Sequence, residues 1–562
     1  MKKFLIILLI LPLTSLAQNP LLIPPILSGT NFNLTIQNGN ISFFSGSPTQ
    51  TMGVNGDILG PTIMVNKGDF ITLNVHNQIA DTTTIHWHGL HVAPENDGGP
   101  HTTIPPGTTW SPSFTVLDHA STYWYHPHLH HKTNNHVSKG IAGFFIVKDN
   151  DEAAINLPRN YGVDDIPVCI QTKNFDANNQ IVYNSNNDVV LMANATIDPF
   201  VSLPAQVIRL RLLNGSSQRI YNLGFTGNKT FHMIGSDGGL LSVPIALTRL
   251  LLSPGERAEI LVDLGGMSGQ SIYLRSFASE MPNGMYGSTF PGMGAGLQMT
   301  GYNPNPLNGT DFNILKMDIT TSTPGAVTTI PNTLVTVTPF LASQSNITRN
   351  LSFMSSNPGP NQLNGDFMIN NAMFDMNVIN YTIPLDNTEI WSLTNNSPIS
   401  HPFHIHDVQF YVLDRNGATP PLSEQGRKDV VLVKPQETVR FITKFETFSN
   451  PHVPYMYHCH MLNHEDGGMM GQFIVVNPAS ADNMETDHNL VIYPNPSFST
   501  FYIHAKELIK TIALFDLNGR QLASYFPQHH NTSIDIRDKV SGQYFLHIVT
   551  DKHRSIKKIM VK

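Results

Sequence analysis

Near residue 459 the chain sets Cys459 between His458 and His460, with His464, Glu465 and Met469 following at loop spacing. The stretch reads as the end of a strand, because an apolar run, Phe473, Ile474, Val475 and Val476, comes soon after. Side chains alternate faces along a strand, so the thiol should leave one face and the two imidazoles the other. That arrangement suits two metal sites sharing one strand. A thiolate, an imidazole and a weak thioether are the donors of a blue-copper electron-transfer site, which needs one further histidine. A histidine-rich surface loop with a buried free thiol is the plainer alternative. It leaves three other histidine clusters unexplained.

Those clusters are His86 with His88, His126 with His128, and His401 with His404 and His406. If His401 and His464 join Cys459 and Met469, eight histidines remain: His86, His88, His126, His128, His404, His406, His458 and His460. Eight imidazoles suffice for three metal ions, as two sets of three and one pair. Several coppers held together can pass four electrons to O2 and release water.

The elements that must carry these residues show as a repeat. Residues 71–77, 208–214 and 389–395 each read as an alternating strand ending in asparagine. Three tandem β units, with boundaries near 150 and 320, account for most of the length. The outer units match one another: His126, Pro127 and His128 answer to His458, Cys459 and His460, and Ile141 stands where Met469 does. The first unit therefore keeps paired histidines without thiolate or thioether, and the middle unit reads as a metal-free spacer. A site built from both outer units is what this division requires.

Composition agrees with a β-rich chain. Only 13% of the 562 residues are charged, and glycine and proline are abundant. A net charge of -8 gives no case for nucleic acid. Of the two cysteines, Cys459 belongs to the metal reading and Cys169 lies in an apolar run as an inert buried thiol, so no disulfide scaffold is expected. Lys2 and Lys3, an apolar run from Phe4, and small residues Ser15 and Ala17 read as an export signal over 1–17. That run is too short to span a bilayer and no other qualifies, so no transmembrane anchor is expected.

The four histidine clusters resemble the copper motifs of the three-domain multicopper oxidases, the group of laccases, bilirubin oxidases and cuprous oxidases, over roughly residues 20–478. The resemblance implies an all-β chain of three cupredoxin-like Greek-key β-sandwiches, 18–150, 151–320 and 321–478. It implies four coppers. The type 1 copper would take His401, Cys459, His464 and axial Met469. The type 2 copper would take His86 and His404. One type 3 copper would take His88, His126 and His460, the other His128, His406 and His458. The implied activity couples one-electron oxidation of a donor to four-electron reduction of O2, with Cys459 as the electron path. Family members place proton-relay acids where Asp97 and Glu465 stand. The alternative for these two is a turn aspartate and a solvated glutamate.

The donor is less legible. A phenol, an aromatic amine or a bilirubin-like compound is one class, and Cu(I) is another. No carboxylate lies in 395–400, where some cuprous oxidases have acid and Met ligands. Met281, Met285, Met293 and Met299 lie on a Gly- and Pro-rich loop that could hold Cu(I) or merely cover the site. A non-catalytic copper-binding surface protein is a third reading. His91, His101, His130, His131 and His136 read as solvated or supporting residues, and Trp87 and Trp124 as packing.

A polar linker, 479–489, leads to a further β unit, 490–562, with an Asn518-Gly519 turn and a basic end. This tail is similar to the C-terminal sorting domain of the type IX secretion system. The similarity implies that machinery as a partner and export across the outer membrane, with removal of the tail; a small carbohydrate- or surface-binding module is the alternative, and the protein is expected to be monomeric.

Overall fold

The computed structural model describes residues 18–292, 305–355, 365–477, 490–517, 519–551 and 554–562. The export signal, the linker, Met293 and Met299 lie outside these residues. The chain forms two compact units. The first comprises 1–378, 386–448 and 453–472, and the second 379–385, 449–452 and 473–562.

In the first unit the strands are short and pair into stacked sheets, as an all-β chain of cupredoxin-like sandwiches requires. Strand Asn31–Ile41 lies between Thr49–Val54 and Phe70–Asn77, while Ser121–His126 lies between His86–His88 and Gly143–Lys148. The middle region has a six-stranded sheet and a seven-stranded sheet, the latter built around Asp165–Lys173, Val207–Asn214 and Arg257–Asp263. Farther on, Thr388–Asn395 pairs with Ile347–Ser355 and Thr438–Lys444. Val, Ile and Leu side chains on the inner faces, such as Ile71, Leu73 and Val75 in the first region and Leu210 and Leu212 in the middle one, are fully buried. Each contributes about 1.5–3 kcal/mol by leaving water.

The asparagine ending each repeat strand has one physical job, done three times. Asn77 accepts from the Ile79 amide and donates to the carbonyls of Asp81 and Ile104. Asn214 accepts from Ser216 and donates to Arg219 and Leu252. Asn395 accepts from Ser397 and donates to Ile399 and Val433. A buried amide that fixes the turn leaving the strand and ties it to a neighbouring strand satisfies backbone groups that burial would otherwise orphan.

In the second unit residues 381–384 run parallel to residues 473–476. The tail is organised on the long strand Thr500–Phe515, which pairs with Leu490–Tyr493 and His529–Asp535 along its first half and with Gln521–Tyr525 and Gly542–Thr550 along its second. Phe501, Ile503, Ile512, Leu514, Leu546 and Ile548 form its own apolar core. Among the described residues no helix is long and apolar enough to cross a membrane.

Candidate metal centre

Register fixes which face each candidate ligand uses. Strand His401–Ile405 pairs antiparallel with the end of Asn450–Cys459, with Phe403 opposite Cys459 and His404 opposite His458. Residues directly opposite share a face. Cys459 therefore lies on the face of Phe403 and His401, while His458 and His404 occupy the other. In the first region His86 is opposite His126 and His88 opposite Trp124, so His86, His88 and His126 address one side of their sheet.

On one side of the Cys459 strand, three donor atoms converge. Cys459 Sγ lies 3.6 Å from His401 Nδ1 and 3.5 Å from His464 Nδ1, and the two nitrogens are 3.2 Å apart. His401 Nε2 meets the Ser397 hydroxyl at 2.6 Å, which turns Nδ1 inward. Met469 is buried, and its main chain is tied in: Cys459 N–H donates to its carbonyl at 3.0 Å, and its own N–H donates to His464 at 2.8 Å. Phe367 covers the group, 4.3 Å from the His464 ring and 4.7 Å from His401 by ring centroids. Burial pushes the Cys459 thiol far above its usual range.

On the opposite side eight buried imidazoles meet. His128, His406 and His458 bring their Nε2 atoms within 3.0–3.4 Å of one another. His88 Nδ1 lies 3.3 Å from His126 Nε2 and 3.2 Å from His460 Nε2. His86 stacks on His406, and His404 on His88, each with centroids 3.8 Å apart. The sequence-expected groupings of these residues are thus brought together in space.

Whether copper fits can be read from the outward nitrogens. His86 Nδ1 donates to the Asp97 carbonyl (2.9 Å), His126 Nδ1 to Pro127 (2.8 Å), His404 Nδ1 to the Asp429 carbonyl (2.8 Å) and His458 Nδ1 to Cys459 (3.0 Å). His406 Nδ1 donates to Asp97 Oδ2 at 2.8 Å and His88 Nε2 to Asp429 Oδ1 at 3.1 Å. Each of these six outward nitrogens carries the proton, so the inward nitrogen of each of these six rings presents a lone pair. Burial, then the neighbouring imidazoles, hold His88, His126, His404 and His406 well below the usual histidine range, and burial brings His460 to about 3. The inward Nε2 atoms of His86 and His404 are buried with no hydrogen-bond partner. Neutral lone pairs facing one another in a dry pocket repel unless a cation lies between them. Imidazole suits copper on this side, and imidazole with thiolate suits it on the other.

The two carboxylates expected to relay protons are both buried, so the solvated alternative for Glu465 fails. Asp97 ends a one-turn helix, Pro94–Asp97, and Asp97 Oδ1 lies 3.4 Å from His86 Nδ1. Glu465 sits in helix Leu462–Asp466 with its oxygens 3.5 Å from His128 Nδ1 and 3.3 Å from His458 Nδ1. Burial raises the Glu465 carboxyl, but His128 and His458 outweigh it and hold it well below the usual range.

The supporting histidines are mostly held rather than solvated. His91 meets Asp407 at 2.8 Å, His136 meets the Thr83 hydroxyl at 3.1 Å, and His101 meets Gln472 at 2.7 Å. The His130 ring lies tilted against that of His131, which reaches the Asp466 carbonyl. Trp124 packs on His126, with centroids 4.2 Å apart. Met281 and Met285 are buried, and the loop between them docks on Ser400, whose hydroxyl donates to the Gly284 carbonyl at 2.8 Å. Sequence reasoning missed Asp429. Its one local signal is a charged residue directly before the buried apolar strand Val430–Val433.

Comparison with known proteins agrees with this geometry. Family profiles described as multicopper oxidase match residues 35–152 and 344–479, and one described as a secretion system C-terminal sorting domain matches 491–562. A multicopper oxidase of Staphylococcus haemolyticus is 31% identical over 80% of this chain and 89% of its own length. The cell division protein FtsP of Xenorhabdus nematophila is 32% identical over 81% of this chain and 92% of its own. Among solved structures, the laccase-like multicopper oxidase CueO from a lignin-degrading Ochrobactrum, with oxidase activity towards lignin model compounds and lignosulfonate, superposes with a TM-score of 0.71. It is 32% identical and covers 81% of this chain and all of its own. The chain belongs to the multicopper oxidase family. It is a copper-dependent oxidoreductase with a sorting domain that marks it for export to the cell surface or beyond.

Proposed function

We propose that this chain is a laccase-like oxidase that takes single electrons from a small organic donor, a phenol or an aromatic amine, and reduces O2 to water with four coppers. The observation that carries this reading is the strand end at which Cys459 faces His401 and His464 while His458, and His460 just past the strand, reach the histidine cluster. His401, Cys459, His464 and Met469 would hold one copper beneath Phe367. His86 and His404 would hold the second. His88, His126 and His460 would hold the third, and His128, His406 and His458 the fourth. Copper in these positions supplies one-electron transfer and, where three ions meet, a place for O2 to accept four electrons.

The chain's own part is path, orientation and protons. Cys459 joins its two flanking histidines through one peptide bond each, a covalent path on the order of 10 Å across the strand. The outward N–H bonds of His86, His88, His126, His404, His406 and His458 hold those rings in the tautomer that offers a lone pair. Reduction of O2 to two waters consumes four protons. Glu465, between His128 and His458, is placed to pass protons, and Asp97 is placed to do the same below His86 and His406.

The burial of Met281 and Met285 supports a covering loop more than an open Cu(I) site. A cuprous oxidase stays the competing donor reading. The FtsP relative brings a non-catalytic reading, against which the complete thiolate and imidazole sets argue. Oxygen uptake with a phenolic dye and with Cu(I) separates the three. Faster uptake with the dye is expected. Faster uptake with Cu(I) overturns the donor class, and uptake with neither, in protein carrying copper, overturns the enzyme.

A further inference from the structure

The region read from sequence as a metal-free spacer reaches into the histidine cluster. Arg257 begins strand Arg257–Asp263 of the seven-stranded middle sheet and is fully buried. A guanidinium has five N–H donors, and here all five are used. Nε donates to the Thr122 carbonyl at 3.1 Å, on the strand that ends in His126. Nη1 donates to the Gly255 carbonyl at 3.0 Å and to Asp429 Oδ1 at 2.6 Å. Nη2 donates to the Asp237 carbonyl at 2.9 Å and to Asp429 Oδ2 at 2.5 Å. Lys428 adds a second tie, with Nζ 2.9 Å from both Asp237 and Glu256.

Asp429, so held, serves two rings. Its Oδ1 accepts from His88 Nε2 at 3.1 Å, and its main-chain carbonyl accepts from His404 Nδ1 at 2.8 Å. These histidines use opposite nitrogens. Most cluster rings turn Nδ1 outward, but His88 turns Nε2 outward and Nδ1 inward towards His126 and His460. Without a carboxylate behind it, a buried imidazole has no reason to keep that tautomer. Space enforces the contact. A Cβ on Gly89, at φ +89°, would fall 2.4 Å from Asp429 Oδ2, and one on Gly255, at φ +85°, would fall 2.8 Å from the His460 ring.

We infer that Asp429 and Arg257 form a positioning pair through which the middle sheet sets the tautomer of His88 and the orientation of His404. A metal among His88, His404 and Asp429 is the competing use of this carboxylate. The bidentate guanidinium already engages both its oxygens, which favours positioning. The inference rests on the proposal that His88 and His404 hold copper, but it can be tested apart from it.

The test uses Asp429→Asn and Arg257→Lys, both close in shape, with Arg211→Lys as a control. Arg211 forms a buried ion pair with Asp165 and Glu259 in the same sheet and does not touch Asp429. In copper-free protein labelled with 15N-histidine, the His88 signal, identified by its loss in His88→Gln, should report an Nε2–H ring. In Asp429→Asn and Arg257→Lys it should shift towards Nδ1–H or a mixture, and in Arg211→Lys it should not move. After copper loading, the first two should keep the blue absorption of the Cys459 site while losing about half or more of the remaining copper. Arg211→Lys should lose thermal stability alone. An unmoved His88 signal in both variants overturns the inference, whatever the copper content. Wild-type protein that binds no copper at the eight histidines overturns the copper assignments and leaves the tautomer result to stand on its own.

Discussion

Two strands of the same design do different work in this molecule. His126, Pro127 and His128 in the first region and His458, Cys459 and His460 in the third both deliver paired imidazoles to the shared cluster. Only the second carries a thiol on its other face. The neighbouring positions differ in step. Counting back from His88 and His406, Thr83 stands where His401 does, and counting on from His128 and His460, Lys132 stands where His464 does. These replacements are partnered: Thr83 meets His136, and Lys132 meets Asp81. One face of the fold is thus free to be a metal site or to carry ordinary polar contacts, while the opposite face keeps its histidines. Under the proposed copper assignments, the thiol-bearing site is an addition to one copy of a scaffold whose histidine-bearing side draws on both.

That comparison breaks most sharply at the thiol. Cys459→Ser should abolish the blue absorption and essentially all oxidase activity with the fold retained, as seen by visible spectrum, oxygen uptake and circular dichroism. Normal turnover in that variant would refute the division between faces. The next effect is on the shared side. His86→Ala and His404→Ala should each lose the copper assigned to that pair, together with oxygen uptake, and keep the blue band, because His401, Cys459 and His464 lie across the sheet. Copper counting and EPR check this, and unchanged copper in either would mean the pair is not a ligand pair.

Glu465→Gln tests the carboxylate that faces one histidine from each outer region. Glutamine keeps the shape and cannot carry a proton. Oxygen reduction should slow by about 10–100-fold, within the usual worth of a positioned acid or base. Reduction of the blue centre by donor, followed as loss of colour without oxygen, should stay near normal. Equal turnover of both proteins from acid to neutral pH would return Glu465 to a packing role. The smallest effect is expected from Pro127→Cys. It restores a thiol to the first region but not His401 or His464 equivalents, since Thr83 and Lys132 stand there. No second blue band should develop on copper loading, and one that did would show that a single thiol suffices.

The sequence alone determined the chemistry and its periodicity. Ligand spacings such as His401, His404 and His406 are local, and strand alternation turns spacing into face without reference to anything distant. The same locality made the three asparagine-terminated strands legible as a repeat, and the tail legible as a separate β unit. Burial of Glu465 was not legible, because the local sequence leaves a proton-relay acid and a solvated glutamate both open until the packing around helix Leu462–Asp466 is known. Nor was the role of the middle region. Arg257 meets Asp429 across 172 residues of chain, and Asp429 meets His88 across 341. No pattern in either neighbourhood announces the other. Only the tertiary structure could decide that a buried guanidinium satisfies all five of its donors at the edge of the histidine cluster. The physical reason is that a charge is kept in a dry interior only where its partners converge, and convergence belongs to the fold rather than to the local sequence.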